Sequence, residues 1–160
     1  MAAQSVDPLL GLYRRPGFMI RRAHQIATSI FLEEAGTLGV TTTQFGLLSL
    51  LQHRPELDQI TAARLLGLDR STAGMVLNSL AQAGLVERQV AAGDKRRRTV
   101  RLAEPGRDLL ARLQEPAARA VERLLAPLDA AERPVFLDML QKLTDGLNET
   151  ARVPLLGGQV

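Results

Sequence analysis

Cysteine is absent from this chain, and its aromatic residues amount to one tyrosine and four phenylalanines. Without cysteine there is no disulfide framework and no thiol-based redox switch. Histidine is nearly as scarce. His24 and His53 lie far apart, neither with an acid at metal-ligand spacing, and His53, just before Arg54-Pro55, reads as a helix-end residue favoured by the dipole. No Gly-rich phosphate loop precedes a lysine and Ser/Thr, and no serine carries the glycine flanks of a nucleophile elbow. These absences predict a protein that is not an enzyme and holds no metal or cofactor. No uncharged apolar run approaches membrane-spanning length, and no basic stretch leads into a signal-peptide core. A cytoplasmic location without membrane contact is therefore expected. Lysine is also rare, so the calculated pI of 10.1 reflects arginine, while the formal net charge is only +3. Overall charge identifies no partner; its distribution does.

Two short helices across a tight turn are the first positive signal. Ala63 and Gly67 lie four apart, which puts a small residue where the helices meet and a glycine where the chain must turn sharply. Leu65, Leu66 and Leu68 are expected to anchor the two sides of that turn. The second helix can start at Asp69, whose carboxylate can accept from the free backbone N–H groups of Ser71 or Thr72. Ala73, Val76, Leu77 and Leu80 then fall at i, i+3, i+4, i+7, the spacing of one buried face, and Gly84 supplies a C′ glycine. The other face carries Arg70, Ser71, Gly74, Met75, Asn78 and Gln82, without the Glu/Lys pairs that merely solubilise a helix. Arginine can read guanine edges, asparagine adenine, and serine either, in the major groove of duplex DNA.

A hairpin follows. Leu85–Val90 and Arg98–Leu102 alternate in polarity as strands of a half-buried ribbon do, and Lys95, Arg96, Arg97 and Arg98 crowd beside the connecting loop. Four adjacent cations repel one another unless an anionic surface such as a phosphate backbone lies alongside. An arm of this kind suits the minor groove.

Leu68-Asp69-Arg70-Ser71-Thr72, Leu80 through Arg88, Asp94 through Arg98 and Leu102 through Gly106 together resemble the MarR family of bacterial transcriptional regulators. The resemblance runs from about Thr41 to Gly106, with compatible helices on both sides. It implies a mainly α fold with a small β-hairpin wing, a winged helix-turn-helix flanked by N- and C-terminal dimerisation helices. The expected organisation is residues 1–40 for dimerisation, 41–103 for DNA binding, and 104–160 for further dimerisation helices and a loose tail. By the same resemblance Thr72 joins the helix residues on DNA, Arg96 faces a groove, and Asp94 braces the wing through an arginine. The family's usual threonine after the second strand is replaced by Ala103, so the next helix loses a side-chain cap.

The flanks carry apolar surface to spare. A long helix can start at Pro16 and run to Gly36, with Ile20, Ala23, Ile26, Ala27, Ile30 and Phe31 as one stripe. Leu109, Leu110 and Leu113 continue past an expected kink at Pro116 to Ala120, Val121 and Leu125. A last helix is announced by Asp129 and Glu132 in capping-box spacing. Such stripes need cover, and a homodimer supplies it. A two-fold pair also reads a palindromic operator with half-sites roughly 34–36 Å apart, or multiples of that.

The family commonly binds a small aromatic, anionic ligand between the dimerisation helices and the winged helix. Arg21 or Arg22 with His24 could hold an acid group, with Tyr13, Phe18, Phe31 and Phe45 as aromatic walls. The alternative is that the arginines are solvated and pair with Glu33 or Glu34 while the aromatics are core. The segment Arg15 to Gln25 is similar to the branch that senses aromatic acids or their coenzyme A thioesters. The function implied is a repressor released from its operator by such a compound. The competing reading is an architectural DNA- or RNA-binding winged helix without a ligand. Residues 1–6 and 152–160 read as loose ends.

Overall fold

The computed structural model describes residues 8–55, 57–91 and 94–156. A short helix α1 (Pro8–Tyr13) precedes the long α2 (Pro16–Ala35), which starts at the expected proline. A 3-10 turn at Gly36–Leu38 leads into α3 (Thr42–His53), capped reciprocally: Gln44 N–H donates to Thr41 Oγ1, and Thr41 N–H donates to Gln44 Oε1. Next come β1 (Leu57–Asp58), α4 (Gln59–Leu65), α5 (Arg70–Gln82), β2 (Val86–Ala91) and β3 (Asp94–Leu102). The chain ends in α6 (Glu104–Leu125), α7 (Glu132–Gly146) and a 3-10 turn at Asn148–Thr150.

One local device builds both helices of the turn-coupled pair. Asp58 caps α4 by accepting from the backbone and hydroxyl of Thr61, and Asp69 caps α5 through the same two groups of Thr72. Each helix then ends on a left-handed glycine, Gly67 at φ +63° and Gly84 at φ +70°. The two Schellman bonds follow in each case: Gly67 N–H to Arg64 O and Leu68 N–H to Ala63 O, then Gly84 N–H to Ala81 O and Leu85 N–H to Leu80 O. An Asp-x-x-Thr start and a glycine stop therefore set both lengths.

The core lies beneath α5. Leu77 and Leu80 pack with Leu47, Leu48 and Leu51 of α3, Val86, Val100 and Leu102 of the sheet, and Leu110 and Leu113 of α6. The sheet has β3 in the middle, antiparallel to both β1 and β2. β1 has no counterpart in the sequence reading, because two residues carry no alternation; pairing with Thr99 and Val100 alone makes them a strand. Leu65, Leu66 and Leu68 are only half-buried, so the turn is anchored by its backbone bonds and by Ala63.

α6 docks on the sheet through Gly106, where an added Cβ would stand 2.1 Å from Leu85 O. As expected, Ala103 gives α6 no side-chain cap. The helix continues unbroken through Pro116. α2 lies against α6, tied by Arg119 to Glu34 at 2.8 Å and by Arg123 to Glu34 and Glu33, both at 2.7 Å. The bonds to Glu34 itself, led by that from Arg119, hold its carboxyl below the ordinary range. The reciprocal bonds between Asp129 and Glu132 form as expected, but they close the turn ahead of α7, whose N-cap residue Ala131 has no side-chain cap, and α7 buries none of its residues. Val135, Leu137, Met139 and Leu143 stand exposed there, as do Ile20 and Ile26 on the α2 stripe.

The tail departs from expectation. Its described part, Arg152–Leu156, is held against the α4–α5 turn: Leu156 N–H donates to Arg64 O at 3.3 Å, and Leu155 touches the space above Gly67. Asn148 clamps it by accepting from Leu155 N–H and donating to Leu155 O. Residues 1–6 and 157–160 lie outside the described residues.

Candidate nucleic-acid interface

α5 presents its polar face to solvent as its spacing requires. Arg70, Ser71, Met75, Asn78 and Gln82 are exposed, whereas Ala73, Leu77 and Leu80 are buried and Val76 is half-buried. The Asp69 carboxyl is held below its ordinary value, first by the Thr72 backbone N–H and then by its hydroxyl. Thr72 is therefore engaged inside the cap, and its hydroxyl is committed to Asp69. Gly74 is half-buried because α4 passes close: a Cβ there would lie 3.2 Å from Gln59 Nε2. Two of the expected contact residues are thus partly turned to packing.

Two groups escaped the sequence reading. Ser79 is exposed next to Asn78, and its hydroxyl accepts from Gln44 of α3 at 3.2 Å. Arg88 of β2 reaches α5, where its Nη2 donates to Asn78 Oδ1. No spacing rule marks either pair, since each joins different elements.

The basic run lies beside the hairpin connection as expected, but the second strand begins four residues earlier than Arg98. Asp94, Lys95, Arg96, Arg97 and Arg98 all belong to strand β3, and a register irregularity falls opposite, between Val90 and Ala91. Their side chains, and with them the groove-facing role of Arg96 and the bracing role of Asp94, lie outside the described residues, as do Ala92 and Gly93. Lower on the ribbon Arg101 is neutralised: its Nε and Nη2 both donate to Glu87 Oε2, at 3.0 and 2.8 Å.

The expected ligand residues fall into two groups. At the α1–α2 corner the rings of Tyr13 and Phe18 are 5.3 Å apart, and the Arg21 guanidinium lies 5.0 Å from the Phe18 centroid. Arg22 and His24 are exposed nearby on α2. Phe31 is instead buried in the core, 5.4 Å from Phe45, which is half-buried. Phe31 stands about 20 Å of helix from Phe18 along α2, so these rings belong to a different part of the fold from the corner. Glu33 and Glu34 pair with Arg119 and Arg123, so they do not neutralise Arg21 or Arg22. An open groove lined by Thr42, Thr43, Gly46, Leu66 and Leu68 includes none of the expected ligand residues.

The capped helix α5 thus lies over a three-stranded antiparallel sheet whose β2–β3 ribbon forms the wing. Residues 38–97 match the model of the MarR family, and the transcriptional repressor NicR of Pseudomonas putida is 31% identical, over 81% of this chain and 82% of that protein. The chain belongs to the MarR family. Among solved structures, the PcaV transcriptional regulator from Streptomyces coelicolor, in complex with its natural ligand, is 34% identical with a TM-score of 0.75, over 91% of this chain and 98% of that one. The transcriptional repressor CouR, bound to a 23-mer DNA duplex, is 29% identical with a TM-score of 0.81, over 88% and 99%. This chain is thus a MarR-type transcriptional regulator, a DNA-binding winged helix-turn-helix protein. No described helix is long and apolar enough to cross a membrane.

Proposed function

We propose that this regulator is a homodimeric repressor of the cytoplasm that reads a palindromic operator and leaves it when an aromatic acid or its coenzyme A thioester binds. The observation that carries the DNA half is the exposed row Arg70, Ser71, Met75 and Asn78 on a helix whose start and stop are both fixed. Likeness to CouR on its duplex supports it. Dimerisation is supported by α7, which as a lone helix would leave Met139 66% exposed amid other apolar residues. In this reading residues 41–103 contact DNA, with Lys95, Arg97 and Arg98 near the phosphates, Arg96 facing a groove and Asp94 bracing the wing. Residues 1–40 and 104–160 then pair the subunits.

The ligand is assigned to the Tyr13–Phe18–Arg21 corner, with Arg22 and His24 as further donors. Two rings and a guanidinium match an aromatic acid, and PcaV, solved with its natural ligand, is similar over nine-tenths of this chain. Binding there would alter how α2 meets its partner, and so the spacing of the two α5 helices.

The test is binding to duplex DNA from upstream of the protein's own gene, with nonspecific competitor, with and without aromatic acids and their thioesters. One compound should release the wild type but not Phe18→Ala or Arg21→Ala, both of which keep their DNA affinity. Release of both variants at unchanged concentration would remove the corner as the ligand site. Binding without sequence preference would favour the architectural reading.

A further inference from the structure

The amide of Asn78 is held at one end. Its Oδ1 accepts from Arg88 Nη2, a guanidinium delivered from β2 immediately after the Gly84 turn. Strand alternation explains why Arg88 points this way. Glu87 and Gln89 share the other face of β2, where Glu87 binds Arg101, while Arg88 shares the face of buried Val86 beneath α5. With Oδ1 occupied, the side of Asn78 left open is its NH2 group, a donor, with the Arg88 cation beside it.

That orientation bears on base reading. Asparagine recognises adenine by donating to N7 while accepting from N6–H2 through the same amide. A second hydrogen could share the Oδ1 lone pairs, but the N6–H2 donor would then approach a carbonyl already facing a guanidinium. Donor would meet donor beside a fixed positive charge. Guanine offers acceptors at both N7 and O6 and meets no such conflict.

We propose that Arg88 is a specificity-determining positioning residue: by holding Asn78 Oδ1 across the gap between β2 and α5, it makes Asn78 a hydrogen-bond donor that selects guanine over adenine. The inference rests on α5 entering the major groove, as in the proposed function. It goes beyond it by stating which base edge this position reads and which residue outside the helix decides that.

The experiment selects preferred duplexes from a randomised pool with the full-length protein. Affinities are then measured for all four bases at the position where Asn78→Ala flattens the preference. Wild type should favour guanine over adenine there by about tenfold. Arg88→Met keeps the length of the stem and removes the donors, and should move that one position toward adenine while the rest of the site is unchanged. Arg88→Lys restores a cationic donor and should keep guanine first, with a smaller ratio. An Arg88→Met protein that folds with the wild-type melting temperature, binds more weakly at every base and keeps its preference would overturn the proposal, reducing Arg88 to a nonspecific contact. So would a wild type that prefers adenine, or an Asn78→Ala variant that flattens no position. If the wild type enriches no sequence at all, the major-groove reading fails first and this proposal falls with it.

Discussion

Replacing Gly106 by alanine sets helix propensity against packing. Gly106 lies within α6, where alanine is the better helix former by about 1 kcal/mol, so propensity alone predicts a more stable protein. The tertiary contact predicts the reverse. The new methyl would stand 2.1 Å from Leu85 O and 3.2 Å from Leu102 Cδ2, where ordinary contact begins at 3.4 Å. The obstacle at 2.1 Å is backbone, and that same carbonyl accepts from Ala103 N–H at 3.0 Å. Relief therefore means lifting the first turn of α6 from the start of β2 by more than an ångström, stretching that bond. Forced overpacking costs about 1–3 kcal/mol, and a lost buried hydrogen bond adds about 1 kcal/mol. Set against the propensity gain, a net loss of about 2 kcal/mol remains, which lowers Tm by roughly 4–8 °C in a chain of this size. Thermal and urea unfolding at one fixed protein concentration measure it, because association shifts apparent stability. A Gly106→Ala protein as stable as wild type, or more stable, would refute the close approach of α6 to Leu85.

Other predictions concern the cap, the exposed helix and the tail. The Asp69 carboxyl titrates below its unfolded value, so its contribution to stability is present above the ordinary aspartate range and is lost as pH falls through its lowered folded value. Asn caps comparably but does not titrate, so Asp69→Asn should be near wild type at pH 7 and lose less stability between pH 5 and pH 3 in urea titrations; equal losses would mean the cap is not formed. Leu137→Asp with Leu143→Asp places charge on the exposed α7 face and should yield monomers by sedimentation with operator binding lost. An unchanged dimer would move the interface away from α7. Asn148→Ala removes both side-chain bonds to Leu155 and should speed protease cleavage after residue 150, leaving the core uncut. Cleavage at the wild-type rate would show that Leu156 and Arg64 hold the tail without the clamp.

The features legible in the chain alone are those whose physics is local. Asp69 caps the helix that Gly84 ends, because a carboxylate beside free N–H groups and a glycine in the left-handed region need only near neighbours. The start of α2 at Pro16, the reciprocal bonds of Asp129 and Glu132, and the uncapped Ala103 belong to the same class. The polar face of α5 was also legible, since periodicity alone separates Asn78 from Leu77. What depends on residues meeting across elements came from the packed fold. Arg88 on Asn78, Gln44 on Ser79, Leu85 O against Gly106 and Leu156 on Arg64 each join different parts of the fold, and no spacing encodes them. The division of the aromatics followed the same logic. Phe18 and Phe31 both lie on α2, but Phe31 lies where α3 covers the helix, and Phe18 lies beyond the core beside Tyr13 and Arg21. Local chemistry set where α4 and α5 begin and end, and only folding, by bringing distant residues into contact, decided which side chains are free to meet a base or a ligand.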